Sequence, residues 1–139
     1  MNKAEKAKMF FSQGYNCSQS ILLAFCEDLG LDYEAAAKVA LSFGGGMGQM
    51  RETCGALTGA FMVLGLANST AGAPSTVEKD VHYQAVRALA ETFRNENGSL
   101  SCRELIAKAQ SGEQKKKRCS ELVSETATIL EKFLSEKNA

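Results

Sequence analysis

The sequence predicts an all-α protein: a single-domain bundle of six or seven helices around a buried apolar central helix at about residues 54–67. Three observations carry this reading. Helix-start and helix-stop signals recur along the chain, while the alternation of a half-buried strand does not. Apolar residues in the longer segments repeat at three- and four-residue spacing. Between Gly55 and Ala67 the one polar side chain is Thr58, so a helix there is apolar on nearly every side, as buried helices are. That stretch is shorter than the roughly 20 apolar residues a bilayer span needs. Gly55 and Ala56 recur four residues later as Gly59 and Ala60, and such small side chains let a neighbouring helix approach closely.

In chain order, residues 3–13 form a short amphipathic helix stopped by Gly14. Asn16 caps a second helix running to Leu29, with Gly30 as its end. Asp32 starts a third, carried by Glu34–Leu41 and ended by glycines 44–46, and Thr53 caps the central helix. Ser75 with Glu78 makes a capping box for a long helix whose inner stripe is Val77, Val81, Val86, Leu89 and Phe93, closed by Gly98. Ser101 with Glu104 makes another, opening a short helix through Leu105, Ile106 and Ala109. The last helix covers about residues 119–135, and the single proline, Pro74, falls in a connection.

Length and charge bound the function. The 139 residues are read as one domain, and 45% apolar residues suffice for a core. Sixteen basic and sixteen acidic residues cancel, which removes the electrostatic case for nucleic acid or an anionic membrane as partner. The start, MNKAEKAKMFF, lacks the apolar run of a signal peptide, and the protein is read as cytoplasmic. There the five cysteines are expected to be reduced thiols, buried, reactive or metal-bound, rather than a disulfide framework.

Four of those cysteines share one context. Cys17, Cys54 and Cys102 each follow a cap residue, and Cys119 stands at the start of the last helix. A thiol in a first helical turn faces unpaired N–H groups and the positive end of the helix dipole, both of which favour thiolate. Spacing turns each inward: Cys17 with Ile21, Cys54 with Leu57 and Phe61, Cys102 with Leu105 and Ile106, Cys119 with Leu122 and Val123. In an up-and-down bundle alternate helices begin at one end, which brings Cys17, Cys54 and Cys102 together. The residues from Ser111 to Arg118 can span about 25 Å and return Cys119 to the same end. Cys26, mid-helix beside Leu22 and Leu29, is read as a core cysteine. The gaps of 36, 47 and 16 residues between the four match no zinc-finger or ferredoxin spacing.

The runs GYNCSQSIL, GGGMGQMRETCGALTGA, SCRELI and CSELV make the chain resemble the C_GCAxxG_C_C family of redox-active proteins, named for one cysteine, a C-G-A-x-x-G motif and two further cysteines. The resemblance runs from Phe11 to about Leu130 and falls on Cys17, Cys54, Gly55, Ala56, Gly59, Cys102 and Cys119, leaving out Cys26. It implies a cysteine-based redox role. A similar domain is joined to a multihaem cytochrome carrying an iron–sulfur cluster, so ligation of a cluster by the same cysteines is the main alternative. No C-x-x-C-H is present to attach haem.

Other motifs weigh less. The loop FGGGMG fits neither dinucleotide- nor nucleotide-phosphate-binding patterns and follows a helix rather than a strand. Met47 and Met50 are read as packing residues, and His82 as a core or rim histidine. Arg51, three residues before Cys54, is either a residue that stabilises its thiolate or a solvated loop arginine, and the basic run Lys115–Arg118 reads as a solvated turn. Three functions remain open. The first is a thiol redox protein, with an oxidoreductase among its forms, in which Cys54 is the low-pKa nucleophile and Cys17, Cys102 or Cys119 resolves. The second is an iron–sulfur electron-transfer or sensing protein using the same four cysteines. The third is a helical interaction module whose cysteines only pack. The sequence names neither the redox partner nor the oligomeric state, and a homo-oligomer stays open.

Overall fold

The structure, a computed structural model, describes residues 1–69, 72–111 and 119–137. They form seven α-helices: α1 (Lys3–Ser12), α2 (Cys17–Cys26), α3 (Tyr33–Ala40), α4 (Gly55–Asn68), α5 (Thr76–Asn97), α6 (Cys102–Ser111) and α7 (Cys119–Lys137). Short 3-10 turns, Glu27–Leu29 and Leu41–Phe43, prolong α2 and α3.

Local chemistry starts most of these helices where the sequence predicts. Asn16 accepts from the Gln19 N–H at 2.9 Å while the Gln19 side chain accepts from the Asn16 N–H at 3.0 Å. Ser75 and Glu78 close the same reciprocal box on α5, and Asp32 caps α3 by accepting from the Ala35 N–H at 2.7 Å. Each such cap typically contributes about 1 kcal/mol. Gly98, at φ 82°, ends α5.

Two starts differ from the prediction. Thr53 does not cap α4; Cys54 itself is the cap residue. The backbone explains this, because Thr53 pairs with Ser101 in an antiparallel bridge, with the Cys54 N–H donating to the Leu100 carbonyl at 2.8 Å and the Cys102 N–H to that of Glu52. The Ser101–Glu104 box closes on one side only. Its carboxylate accepts from the Ser99 hydroxyl at 2.5 Å, and Ser99 Oγ accepts from the Ser101 N–H at 3.0 Å. The bridge and this turn attach the start of α6 to the start of α4.

The core is centred on the α2–α4 pair. α4 buries Leu57, Val63 and Leu64 together with its small residues, as predicted for a central helix, and α2 is enclosed as fully, with every residue from Ser18 to Cys26 buried. Their contact depends on Gly59: a Cβ there would lie 2.7 Å from the Ser18 carbonyl oxygen and 3.0 Å from Ile21 Cβ. Three polar residues of α2 go inside with it. The Gln19 Nε2 donates to the Ala37 carbonyl at 2.8 Å and the Ser20 hydroxyl to that of Asn16 at 2.8 Å, whereas Ser18 Oγ is buried without a partner. α1 lies on α2 and α7, α3 on α2, and α5 on α4 and α7.

On α5 the predicted inner stripe is only partly inside. Leu89 and Phe93 are buried, but Val77 and Val81 are 72% and 62% exposed. Length accounts for this: α5 spans 22 residues and α4 only 14, or about 33 Å against about 21 Å, so the first turns of α5 overhang the core. No helix among the described residues is long and apolar enough to cross a membrane.

Candidate redox site

The starts of α2, α4, α6 and α7 open onto one pocket of about 520 Å³, and Cys17, Cys54, Cys102 and Cys119 all line it. Leu105, Ile106 and Leu122 supply apolar wall, and among the described residues Arg51 is the one charged side chain in the lining.

Cys17, the first residue of α2, is half-buried, and its sulfur lies in space that a glycine leaves open. A Cβ on Gly55 would be 2.2 Å from Cys17 Sγ. The second residue of the C-G-A-x-x-G motif is therefore the seat of the first cysteine. Gly44 does the same for the cap of α2: a Cβ there would fall 2.3 Å from Asn16 Nδ2, which donates to the Leu41 carbonyl at 2.9 Å. Nothing in the sequence pairs Gly44 with Asn16, and that contact was not foreseen.

Cys54 is 6% exposed, and its thiol is pushed up to about 12. Burial is the main cause, followed by the neighbouring Cys17. The N–H groups of Ala56 and Leu57 pull the other way without closing a cap hydrogen bond to the sulfur, and Cys102 adds a smaller upward push. This reverses the lowered pKa expected of Cys54 as a nucleophile: at this depth the loss of water outweighs the helix start.

Cys102, 9% exposed, receives a hydrogen bond from Arg51 Nη1 at 3.7 Å. The Thr53–Ser101 bridge puts Cys54 and Cys102 on the same face as a diagonal pair, roughly 7–8 Å apart in general strand geometry. Cys119 is exposed at the pocket rim. Partial burial of its thiol, then Cys17 and Cys102, push its pKa up, while Arg51 opposes them. The Arg51 hydrogen bond thus goes to Cys102 rather than Cys54.

The glycine loop explains where Arg51 points. Gly45, Gly46, Met47, Gly48, Gln49 and Arg51 all have positive φ, a left-handed turn costing roughly 1–2 kcal/mol at each residue with a side chain. Hydrogen bonds hold it, among them Arg51 N–H to the Gly45 carbonyl at 3.1 Å and Glu52 N–H to that of Gly46 at 3.0 Å. At Gly46 a Cβ would meet the Arg51 and Glu52 backbone at 2.6–2.8 Å, so only glycine lets the turn close.

The remaining candidates lie elsewhere. Neither Met47 nor Met50 lines the pocket, and Met50, expected to pack, is 60% exposed. His82 sits on α5 with Nδ1 3.4 Å from Asn68 Nδ2, away from the cysteines. Cys26 is fully buried, its S–H donating to the Leu23 carbonyl at 3.6 Å, and burial raises its pKa. The run Lys115–Arg118 lies outside the described residues. Among the described residues no group of three or more His, Cys, Asp or Glu side chains is set to hold a single metal ion.

Fold and pocket together define an α-helical protein with four cysteines gathered at helix starts. The chain belongs to the family described as "putative redox-active protein (C_GCAxxG_C_C)", which it matches over residues 15–133. No curated protein and no solved structure matches it.

Proposed function

We propose that the protein is a cysteine redox protein in which Cys17 and Cys54 form and break a disulfide. One observation carries this reading: Cys17 Sγ occupies the space over Gly55, one residue from Cys54, and is the neighbouring sulfur that most raises the Cys54 thiol. Access divides the roles. Cys17 is half-buried and reachable, whereas Cys54 is not. The Cys17 thiolate attacks one sulfur of an oxidised disulfide partner, and the partner's other sulfur leaves as a thiolate. Cys54 then gives up its proton and attacks Cys17 Sγ, closing the Cys17–Cys54 bond as the partner's remaining sulfur leaves. Two electrons and two protons pass to the partner. Thiols that rest in the reduced state belong in a reducing compartment, and we place the protein in the cytoplasm.

A second reading is favoured by the two cysteines the disulfide leaves without a role. Cys102 and Cys119 line the same pocket, and four cysteine thiolates are the usual donor set of an iron–sulfur cluster. Cys17, Cys54, Cys102 and Cys119 would hold the cluster, while Arg51 and the N–H groups at the helix starts would offset its negative charge. Such a cluster supplies one-electron transfer.

Anaerobic purification followed by iron, zinc and sulfide analysis, a visible spectrum and a thiol count separates the two. A colourless protein that loses two thiols to a small disulfide oxidant supports the disulfide reading. Stoichiometric iron and sulfide with a charge-transfer spectrum selects the cluster.

A further inference from the structure

We infer that Arg51 makes the cysteine pocket a receptor for small organic disulfides that carry a carboxylate, so that the redox partner is a small anion rather than another protein. The inference rests on the disulfide reading above and names the substrate class for it.

Shape comes first. About 520 Å³ is within the roughly 300–1,000 Å³ typical of small-molecule sites, and Cys54 lies buried in its lining. A concave site with apolar walls and a few polar groups suits a molecule that enters it.

Charge comes second. Among the described residues Arg51 is the one charged side chain lining the pocket, and none of their ion pairs involves it. Its Nη1 is directed at Cys102, and no described residue accepts from the rest of the guanidinium. A guanidinium carries five N–H donors in a planar fork matched to a carboxylate. A half-buried cation beside apolar side chains, with no counter-charge among the described residues, is costly, and an anionic ligand arm removes that cost.

Backbone comes third. Arg51 is held at φ 63°, a strained conformation for a residue with a side chain, and is pinned on both sides: its N–H donates to the Gly45 carbonyl, and its carbonyl accepts from the Arg103 N–H at 3.2 Å. Strain kept in place by surrounding structure marks positions whose orientation matters. Here it directs the Arg51 guanidinium at Cys102 in the pocket. A disulfide whose carboxylate pairs with Arg51 has its S–S bond presented to Cys17 across the pocket, and exchange proceeds with the same bonds formed and broken as above.

The test uses the full reduced, metal-free chain and three dialkyl disulfides of different charge: dithiodipropionate (anionic), hydroxyethyl disulfide (neutral) and cystamine (cationic). Exchange rates are divided by those of a free-thiol peptide under the same conditions, and are measured for the parent, Arg51→Gln and Arg51→Lys. The parent is expected to prefer the anionic over the neutral disulfide by about tenfold or more, the lower end of what a charged cleft adds to encounter with an opposite charge, and to react slowest with cystamine. Arg51→Gln should erase that order, and Arg51→Lys should keep most of it. If Arg51→Gln slows all three equally, or the parent shows no charge preference, the inference is overturned while the disulfide reading stands. Pocket thiols in the parent that exchange with none of the three overturn the disulfide reading and this inference with it.

Discussion

Replacing Gly55 with alanine puts a methyl group where Cys17 Sγ now sits. The new Cβ would lie 2.2 Å from that sulfur and 3.1 Å from the Phe43 carbonyl oxygen. Ordinary contact needs about 3.5–4.0 Å, so the sulfur must retreat by more than about 1 Å. It is the end of a side chain at the first position of α2, and turning it away costs about 0.5–1.5 kcal/mol if the rotamer is poor. Alanine returns up to about 1 kcal/mol over glycine in a helix. Net stability should therefore change by no more than about 1 kcal/mol, a few degrees of melting temperature for a chain of this size. The Cys17–Cys54 disulfide should be largely lost. Thermal unfolding together with peptide mapping of the oxidised variant checks both halves. If Gly55→Ala forms that disulfide at the parent's yield and melts like the parent, the seating of Cys17 in the Gly55 space is wrong.

Gly59→Ala should behave in the opposite way. Its Cβ meets backbone, the Ser18 carbonyl at 2.7 Å, so α2 and α4 must separate, and urea unfolding should show a loss of about 1–3 kcal/mol, in part offset by helix propensity. Ser18→Ala removes a buried hydroxyl that has no partner, and its melting temperature should equal or exceed the parent's. The reduced, metal-free protein should weaken in alkali. Because the Cys54 thiol is held at about 12 against an ordinary 9.0, the folded chain keeps its proton where the unfolded chain loses it. The stabilisation is complete below about pH 9 and is lost as pH rises toward 12, at about 1.4 kcal/mol per pH unit. Denaturant midpoints between about pH 8 and pH 11 should therefore fall more steeply for the parent than for Cys54→Ala.

What was legible in the sequence was mostly local. Asn16, Asp32, Ser75 and Gly98 act through their own turns, so residue type and a three-residue offset suffice to find them. The gathering of Cys17, Cys54 and Cys102 followed from the alternating direction of helices in a bundle, which constrains where helix starts lie before any contact is known, whereas Cys119, at the start of the next helix, needed the reach of the connection before it. The small residues of α4 announced a close neighbour but not which one, because Gly59 against Ser18 is a contact between distant parts of the chain.

Other features depend on tertiary surroundings that spacing does not carry. The helix-start rule favoured a thiolate at Cys54, yet burial among Cys17 and Cys102 sets its pKa. Arg51 precedes Cys54 by three residues, but the left-handed turn before it sends its side chain to Cys102. The stripe on α5 was visible, whereas the point at which α4 stops covering it was not, and Val77 and Val81 are left outside.

The most direct test of the central claim is to oxidise the reduced, metal-free protein with a small disulfide, block the remaining thiols and map the bonded cysteines by mass spectrometry. The account predicts one intramolecular bond, Cys17–Cys54, with Cys26 unreactive until the protein is unfolded, and a reductant should restore both thiols. A native protein whose Cys17 and Cys54 remain free after oxidation, or whose bond joins Cys102 to Cys119 instead, contradicts it.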